Sequence, residues 1–262
     1  MPRLLSEYQH RYPNARIERA GGVLEVTFHR NGGPVWLTDR LHTDLQDLFY
    51  DIGQDPENRV IILTAAGGVW CDTVDPDSFI FDPTPPPVEM DRIYAEGRAI
   101  FVNLLEIRVP VIAAFPGPAP VHADIGLIAD IVLASDTTWF QNQHFGNWSI
   151  PPGDGNHIIY PWLLGGNRGR HFLLTSKIWT AQEAFEWGVV AEVLPPERLM
   201  ERARELAREM AQKPVLTLRY TRDVLNAELR QMFHRQLPFG LALEGFASGY
   251  GTWNGSTLHD QG

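Results

Sequence analysis

An α/β domain with a helical C-terminal region is what this sequence predicts, on three observations. Three short apolar runs, RVIILT (59–64), PVIAAF (110–115) and DIVLAS (130–135), have the length and β-branched content of buried strands. Amphipathic segments with helical spacing lie between them. From Glu197 onward the helical pattern continues alone.

Taken in order, GVLEVTF (22–28) alternates and is β-rich, so it reads as a strand. Leu41, Leu45, Leu48, Phe49 and Ile52 recur at helical spacing and predict a helix over 41–52. The strand at 59–64 leads into a long, acidic, proline-rich loop, DTVDPDSFIFDPTPPPVE. Loops of that length in compact domains are lids, binding loops or disordered segments. Met90 to Glu106 reads as an amphipathic helix. The stretch 116–129 is too short for a conventional crossover helix with two loops, so one compact helix is expected near 122–129. Helices are also expected over 167–175 and 180–187. Thr180 is placed as N-cap of the second, with Glu183 three residues later completing a capping box. A charged amphipathic helix fits 197–212. After Pro214 the chain reads helical to about Phe233 and less regularly beyond. No internal repeat and no flexible linker divides it.

The length of 262 residues, 44% hydrophobic and 21% charged, suits one large domain with a real core. A net charge of −10 argues against nucleic acid, which demands a basic face. It argues more weakly against a polyanionic ligand such as coenzyme A. Cys71 is the one cysteine, so no intrachain disulfide can form and a reducing cytoplasm is expected. The N-terminal MPRLLSEYQHRYPN lacks an apolar signal core. No apolar run approaches the ~20 residues that span a bilayer. The nine histidines show no HxH or HExxH spacing, so no metal site is expected.

The segment FQNQHFGNWSIPPGDG (140–155) carries the most chemistry. His144 precedes Asp154 across a turn-forming Pro-Pro-Gly. His144 reads either as a general base or as a loop histidine satisfying backbone groups. Asp154 stands where a helix begins, so it reads as an N-cap, as an orienting partner for an imidazole, or as both. Glu244 sits in the otherwise apolar PFGLALEGF and is either a surface charge or a carboxyl buried with a purpose. Trp36 is a possible N–H donor or a core aromatic. Asp124 reads as a short-helix charge and Cys71 as inert.

RVIILTAAGGVWCD, VPVIAAFPGPAPVHADIGLIADIVLAS and LLGGNRGRHFLLTSKIWTAQEAFEWGVVAEVLP, in this order, resemble the crotonase (enoyl-CoA hydratase/isomerase) superfamily. The resemblance implies a spiral of ββα units over residues 1–200. It also implies a helical region over 201–262 that covers the active site and serves assembly into trimers or dimers of trimers. The departures matter more. The family's glycine-rich turn is Pro120-Val121-His122 here, and proline has no N–H to donate. His144 stands where the family carries a glutamate. With GGPVW, VDPDSF, PGDG and GLALEG, these departures resemble the β-diketone hydrolase branch, which cleaves a C–C bond by a retro-Claisen reaction without coenzyme A or metal.

The branch resemblance implies a small 1,3-diketone substrate and no cofactor. It casts His144 as base, Asp154 as its orienting partner, His122 and Glu244 as the groups at the enolate, and Trp36 and Phe79 as pocket walls. A coenzyme A-dependent hydratase, isomerase or thioesterase is the rival reading, and a non-catalytic homologue the third.

Overall fold

The computed structural model describes residues 3–77 and 86–248. After a short helix, α1 (Leu5–Tyr8), the chain forms the hairpin β1 (Ala15–Ala20) and β2 (Val23–Phe28). β1 went unpredicted because ARIERA is mostly polar. Its Ala15 and Ile17 nonetheless face the core, and Gly21-Gly22, both at positive φ, turn the chain tightly into β2. Next come β3 (Trp36–Leu37), α2 (Asp39–Gln54), β4 (Val60–Ala65), β5 (Thr73–Val74), α3 (Pro87–Glu106), β6 (Val111–Phe115), α4 (Ala123–Leu127) and β7 (Ile131–Ser135). β8 (Trp139–Phe140) leads to a π-helical turn, His144–Trp148. α5 (Asn156–Leu164), α6 (Gly166–Thr175), β9 (Trp179–Thr180), α7 (Ala181–Glu186) and β10 (Glu192–Leu194) follow. The chain ends in α8 (Pro196–Ala211), α9 (Val215–Leu225) and α10 (Ala227–Ser248).

The main sheet has the order β1-β2-β4-β6-β7-β10, parallel except for the β1–β2 hairpin. The order never reverses, so successive crossovers advance in one direction and the units wind as a spiral. Every residue of β4 and β6 is buried, as their unbroken apolar runs predict for strands covered on both faces. Alternation divides them. Ile61, Leu63, Val111, Ala113 and Phe115 enter the large core with α2, α3 and α10, whereas Val60, Ile62, Ile112 and Ala114 face α8. α8 meets the sheet through Leu199, Ala203, Ala207 and Ala211, one turn apart each, and the alanines allow close approach. The expected division at residue 200 falls inside this helix.

Capping follows the sequence. Thr180 Oγ1 accepts from Glu183 N at 3.2 Å and Thr180 N donates to Glu183 Oε2 at 2.9 Å, closing the capping box. Thr38 caps α2 by accepting from Leu41 N at 3.0 Å. The tail differs from expectation. α10 continues past Phe233 to Ser248 despite Pro238, because it is packed along α3 and α5. Tertiary burial there outweighs the one backbone hydrogen bond that proline removes.

Two contacts fasten the C-terminal helices to the core. Arg222 is buried and donates to Asp130 at 2.7 Å and to the Leu105 carbonyl at 3.0 Å, with Ile107 O as a further acceptor. It thereby satisfies the orphan carbonyls at the end of α3. Gly153 and Gly240 touch backbone to backbone: a Cβ on Gly153 would lie 2.1 Å from Gly240 O and 2.9 Å from Glu244 Cβ. Among the described residues, no helix is long and apolar enough to cross a membrane.

Replacing the buried Arg222 by methionine leaves the partly buried Asp130 without its cation and the α3 carbonyls without their donor, and should cost about 3–5 kcal/mol in urea unfolding. Gly153→Ala must displace α10 and should cost about 1–3 kcal/mol in the same measurement.

Candidate active site

Four segments converge on one cavity with an empty volume of about 760 Å³. His122 comes from the start of α4, His144 from the π-helical turn, Asp154 from the Pro-Pro-Gly turn before α5, and Glu244 from α10. π-helical turns are rare and cluster at functional sites. His122 holds a left-handed backbone, φ 45°, an uncommon conformation for a residue with a Cβ.

His144 Nε2 lies 3.2 Å from Asp154 Oδ2 and 3.6 Å from Glu244 Oε1. Its other ring nitrogen, Nδ1, faces the Asn142 amide at 3.3 Å. His122 Nδ1 lies 3.4 Å from Asp124 Oδ1 and 3.9 Å from Asp154 Oδ2. Asp154 therefore stands between two imidazoles, and its Oδ1 also accepts from the Asn156 amide. The expected N-cap role does not occur: Gly155 occupies that position and no side chain caps α5. Asp124 adds to another expectation. It does lie in the first turn of the short helix α4, but it is fully buried there and neither carboxylate oxygen has a hydrogen-bond partner, which a helix charge by itself does not imply.

Burial and mutual charge set the protonation. Burial alone would push the His144 imidazole down, but the Asp154 carboxylate, joined by Glu244, raises it well above the ordinary histidine value. Burial alone would raise Asp154; the flanking His144 and His122 and the Asn156 amide hold it below the usual carboxylate range. Glu244 is pushed up to about 7 by burial and by the Asp154 anion, against the opposing pull of His144. His122 is raised, burial notwithstanding, by Asp124 and Asp154, and Asp124 is itself raised by burial. An unperturbed imidazole is largely neutral near pH 7. The neighbours of His144 shift it toward the protonated form.

The other expected residues are placed differently. Trp36 is half-buried and does not line the cavity; its ring carries the Arg30 guanidinium 3.9 Å from its centroid. Successive strand residues point to opposite faces, and it is Leu37, the next residue, that lines the cavity. Phe79 lies outside the described residues. Cys71 is buried and its thiol is pushed up to about 12 by burial, which disarms it as a nucleophile.

One group was missed. His42, on α2, lines the cavity, and its Nδ1 contacts Glu96 Oε2 at 2.8 Å. Glu96 also accepts from Thr43 at 2.8 Å and from Arg92 at 2.9 Å. The signal was present: His42 directly follows Leu41 on the predicted helix, and Arg92 and Glu96 are one helical turn apart. The remaining wall is mostly apolar, including Ile100, Phe101, Trp148 and Leu241. His122, Asp124 and Asp154 form one triad whose ligand atoms lie within 4.8 Å of each other, and His144, Asp154 and Glu244 form a second. Either could hold a cation, and both are equally suited to sharing protons.

The loops after β4 and β6 are closed against each other. Trp70 N donates to Pro118 O at 2.9 Å and Val121 N to Cys71 O at 3.2 Å. The Trp70 indole N–H donates to His122 O at 3.0 Å. These amides are engaged within the protein, and Pro120 has none.

Comparison with known proteins agrees with this architecture. A family model described as enoyl-CoA hydratase/isomerase matches residues 18–244. The 1,2-epoxyphenylacetyl-CoA isomerase of Escherichia coli is 27% identical, with 82% of this chain and 83% of that protein covered. The solved structure of a β-diketone hydrolase from the cyanobacterium Anabaena sp. PCC 7120, bound to (S)-3-oxocyclohexyl acetic acid, superposes with a TM-score of 0.89 at 44% identity. That match covers 93% of this chain and 97% of the other. An enoyl-CoA hydratase/isomerase from Mycobacterium paratuberculosis shares the fold, with a TM-score of 0.85 at 21% identity over 92% and 97% of the two chains. In sequence and fold, the chain belongs to the enoyl-CoA hydratase/isomerase (crotonase) family.

Proposed function

We propose that this chain is a β-diketone hydrolase that cleaves a C–C bond of a cyclic or alicyclic 1,3-diketone by a retro-Claisen reaction. The observation that carries the proposal is the buried cluster of His144, Asp154 and Glu244, with Asp154 also facing His122. A mostly apolar cavity holding a few convergent polar groups suits a small alicyclic ligand. The 44% identical Anabaena relative supports the same class, since a keto acid is what such a cleavage yields.

In the proposed reaction, water adds to one carbonyl and its proton passes to the cluster. Asp154 orients the His144 imidazole and stabilises its cationic form. The tetrahedral adduct collapses, the C–C bond breaks, and its electron pair moves onto the second carbonyl as an enolate. His122 donates a hydrogen bond to that oxygen; its Nδ1 faces Asp124 and Asp154, which leaves Nε2 for the substrate. Glu244, poised near neutrality, returns the proton to carbon. One diketone and one water give one keto acid, with no cofactor in the balance. The coenzyme A reading is disfavoured because the Trp70 and Val121 amides, on the loops that would form a thioester oxyanion hole, are bonded to neighbouring carbonyls.

Purified protein should consume the enol absorbance of a 1,3-diketone and leave crotonyl-CoA unchanged; turnover of the CoA ester alone overturns the proposal. His144→Ala should lower kcat by at least ~10²-fold, and Asp154→Asn should also be impaired.

The carboxylates raise His144, so its basic form accumulates only as pH climbs past the usual histidine range. The rising limb of kcat/KM should accordingly lie above pH ~6.5. Glu244→Gln removes one of the anions raising His144 and should move that limb toward acid. A limb unmoved in this variant would separate His144 from the pH dependence.

We further propose a homo-oligomer. Val224, Leu225, Phe239 and Phe246 are exposed on α9 and α10, where a second copy would cover them. Light scattering should give a trimer or hexamer mass, and charged substitutions at Val224 and Leu225 should reduce it.

A further inference from the structure

A second cavity lies beside the catalytic one. Phe28, Leu41, Leu45 and Trp70, all buried and apolar, form most of its wall, together with Leu37 and His122. It is a recess partly open to solvent, with an empty volume of about 360 Å³ that includes that open space. Leu37 and His122 line the catalytic cavity as well, so the two spaces meet at those side chains.

Protein interiors pack as densely as organic crystals, and voids larger than a water molecule are few. A recess walled by apolar side chains favours apolar guests, because filling it removes hydrocarbon from water. A polar guest here would find one imidazole among hydrocarbon walls. The ring nitrogen of that imidazole nearest a carboxylate already faces Asp124 and Asp154. The walls therefore select hydrocarbon, and His122 sets where it must branch: within a bond or two of whatever the imidazole contacts on its catalytic side.

We propose that this cavity is a substrate subsite for a short alkyl arm, carried on the carbon flanking the carbonyl that His122 contacts. The proposal rests on the hydrolase reading for the substrate's identity, while the apolar binding itself does not. It makes Leu45 a specificity-determining residue: buried in the second wall, it is not among the residues lining the catalytic cavity.

The test uses cyclohexanone and a series of 2-alkylcyclohexanones from methyl to butyl, bound to the full chain and followed by calorimetry. Burying each methylene should raise affinity about fourfold, the equivalent of ~0.8 kcal/mol, until the cavity is full. Leu45→Phe fills the space and should abolish that gain while cyclohexanone binds as before. Leu45→Ala should extend the gain to longer arms, and it carries the test if Leu45→Phe fails to fold. Affinity independent of arm length in the natural protein, or the same gain in Leu45→Phe, overturns the subsite. Running the matching 2-alkyl-1,3-diketones as substrates separates the two proposals. A methylene gain with no cleavage of any diketone leaves the subsite standing and sinks the hydrolase reading.

Discussion

The site depends on one steric constraint: the turn before α5 and the middle of α10 approach until their backbones touch at Gly153 and Gly240. No side chain larger than hydrogen fits at either position. That contact brings Asp154, one residue after Gly153, and Glu244, one helical turn after Gly240, to the same imidazole nitrogen. Spread the two backbones by the width of a methyl group and His144 keeps at most one of its carboxylates. Arg222 serves the same end at longer range by fixing the last turn of α9, just before α10, to the end of α3.

Burial then turns proximity into chemistry. In water, two carboxylates and two imidazoles at these distances would interact weakly; excluded from solvent, each strongly sets its neighbours' protonation. Asp154 is the pivot because it faces both histidines. The protons belong to the cluster more than to any one residue, as expected when sites interact this closely. In the proposed reaction it is this shared set of protons that takes one from water and returns one to carbon. The family scaffold is retained, and on it the Trp70 and Val121 amides are bonded to the Pro118 and Cys71 carbonyls.

Much of this was legible in the sequence, for identifiable reasons. The buried strands announced themselves as unbroken apolar runs, and α2 through its leucine spacing. The exchange of a glycine turn for Pro120-Val121-His122 and the pairing of His144 with Asp154 marked the site. What stayed hidden depended on the third dimension. β1 is polar on one face and needed β2 beside it to be recognised. Trp36 and Leu37 differ by one residue, and only strand orientation decides which one faces the cavity. Asp124 read as a short-helix charge, and nothing local reveals that α4 is wholly buried. The raised His144 follows from Asp154 and, joining it, from Glu244, a residue far away in sequence.

That separation along the chain has a consequence for synthesis. Growing from its N-terminus, the chain presents every strand of the sheet, both histidines and Asp154 before α10 exists. Until α10 docks, those groups lack both Glu244 and the helix that walls them from solvent. The nascent protein thus holds both histidines and Asp154 in a wet, loosely coupled form until α10, the last helix among the described residues, closes over them.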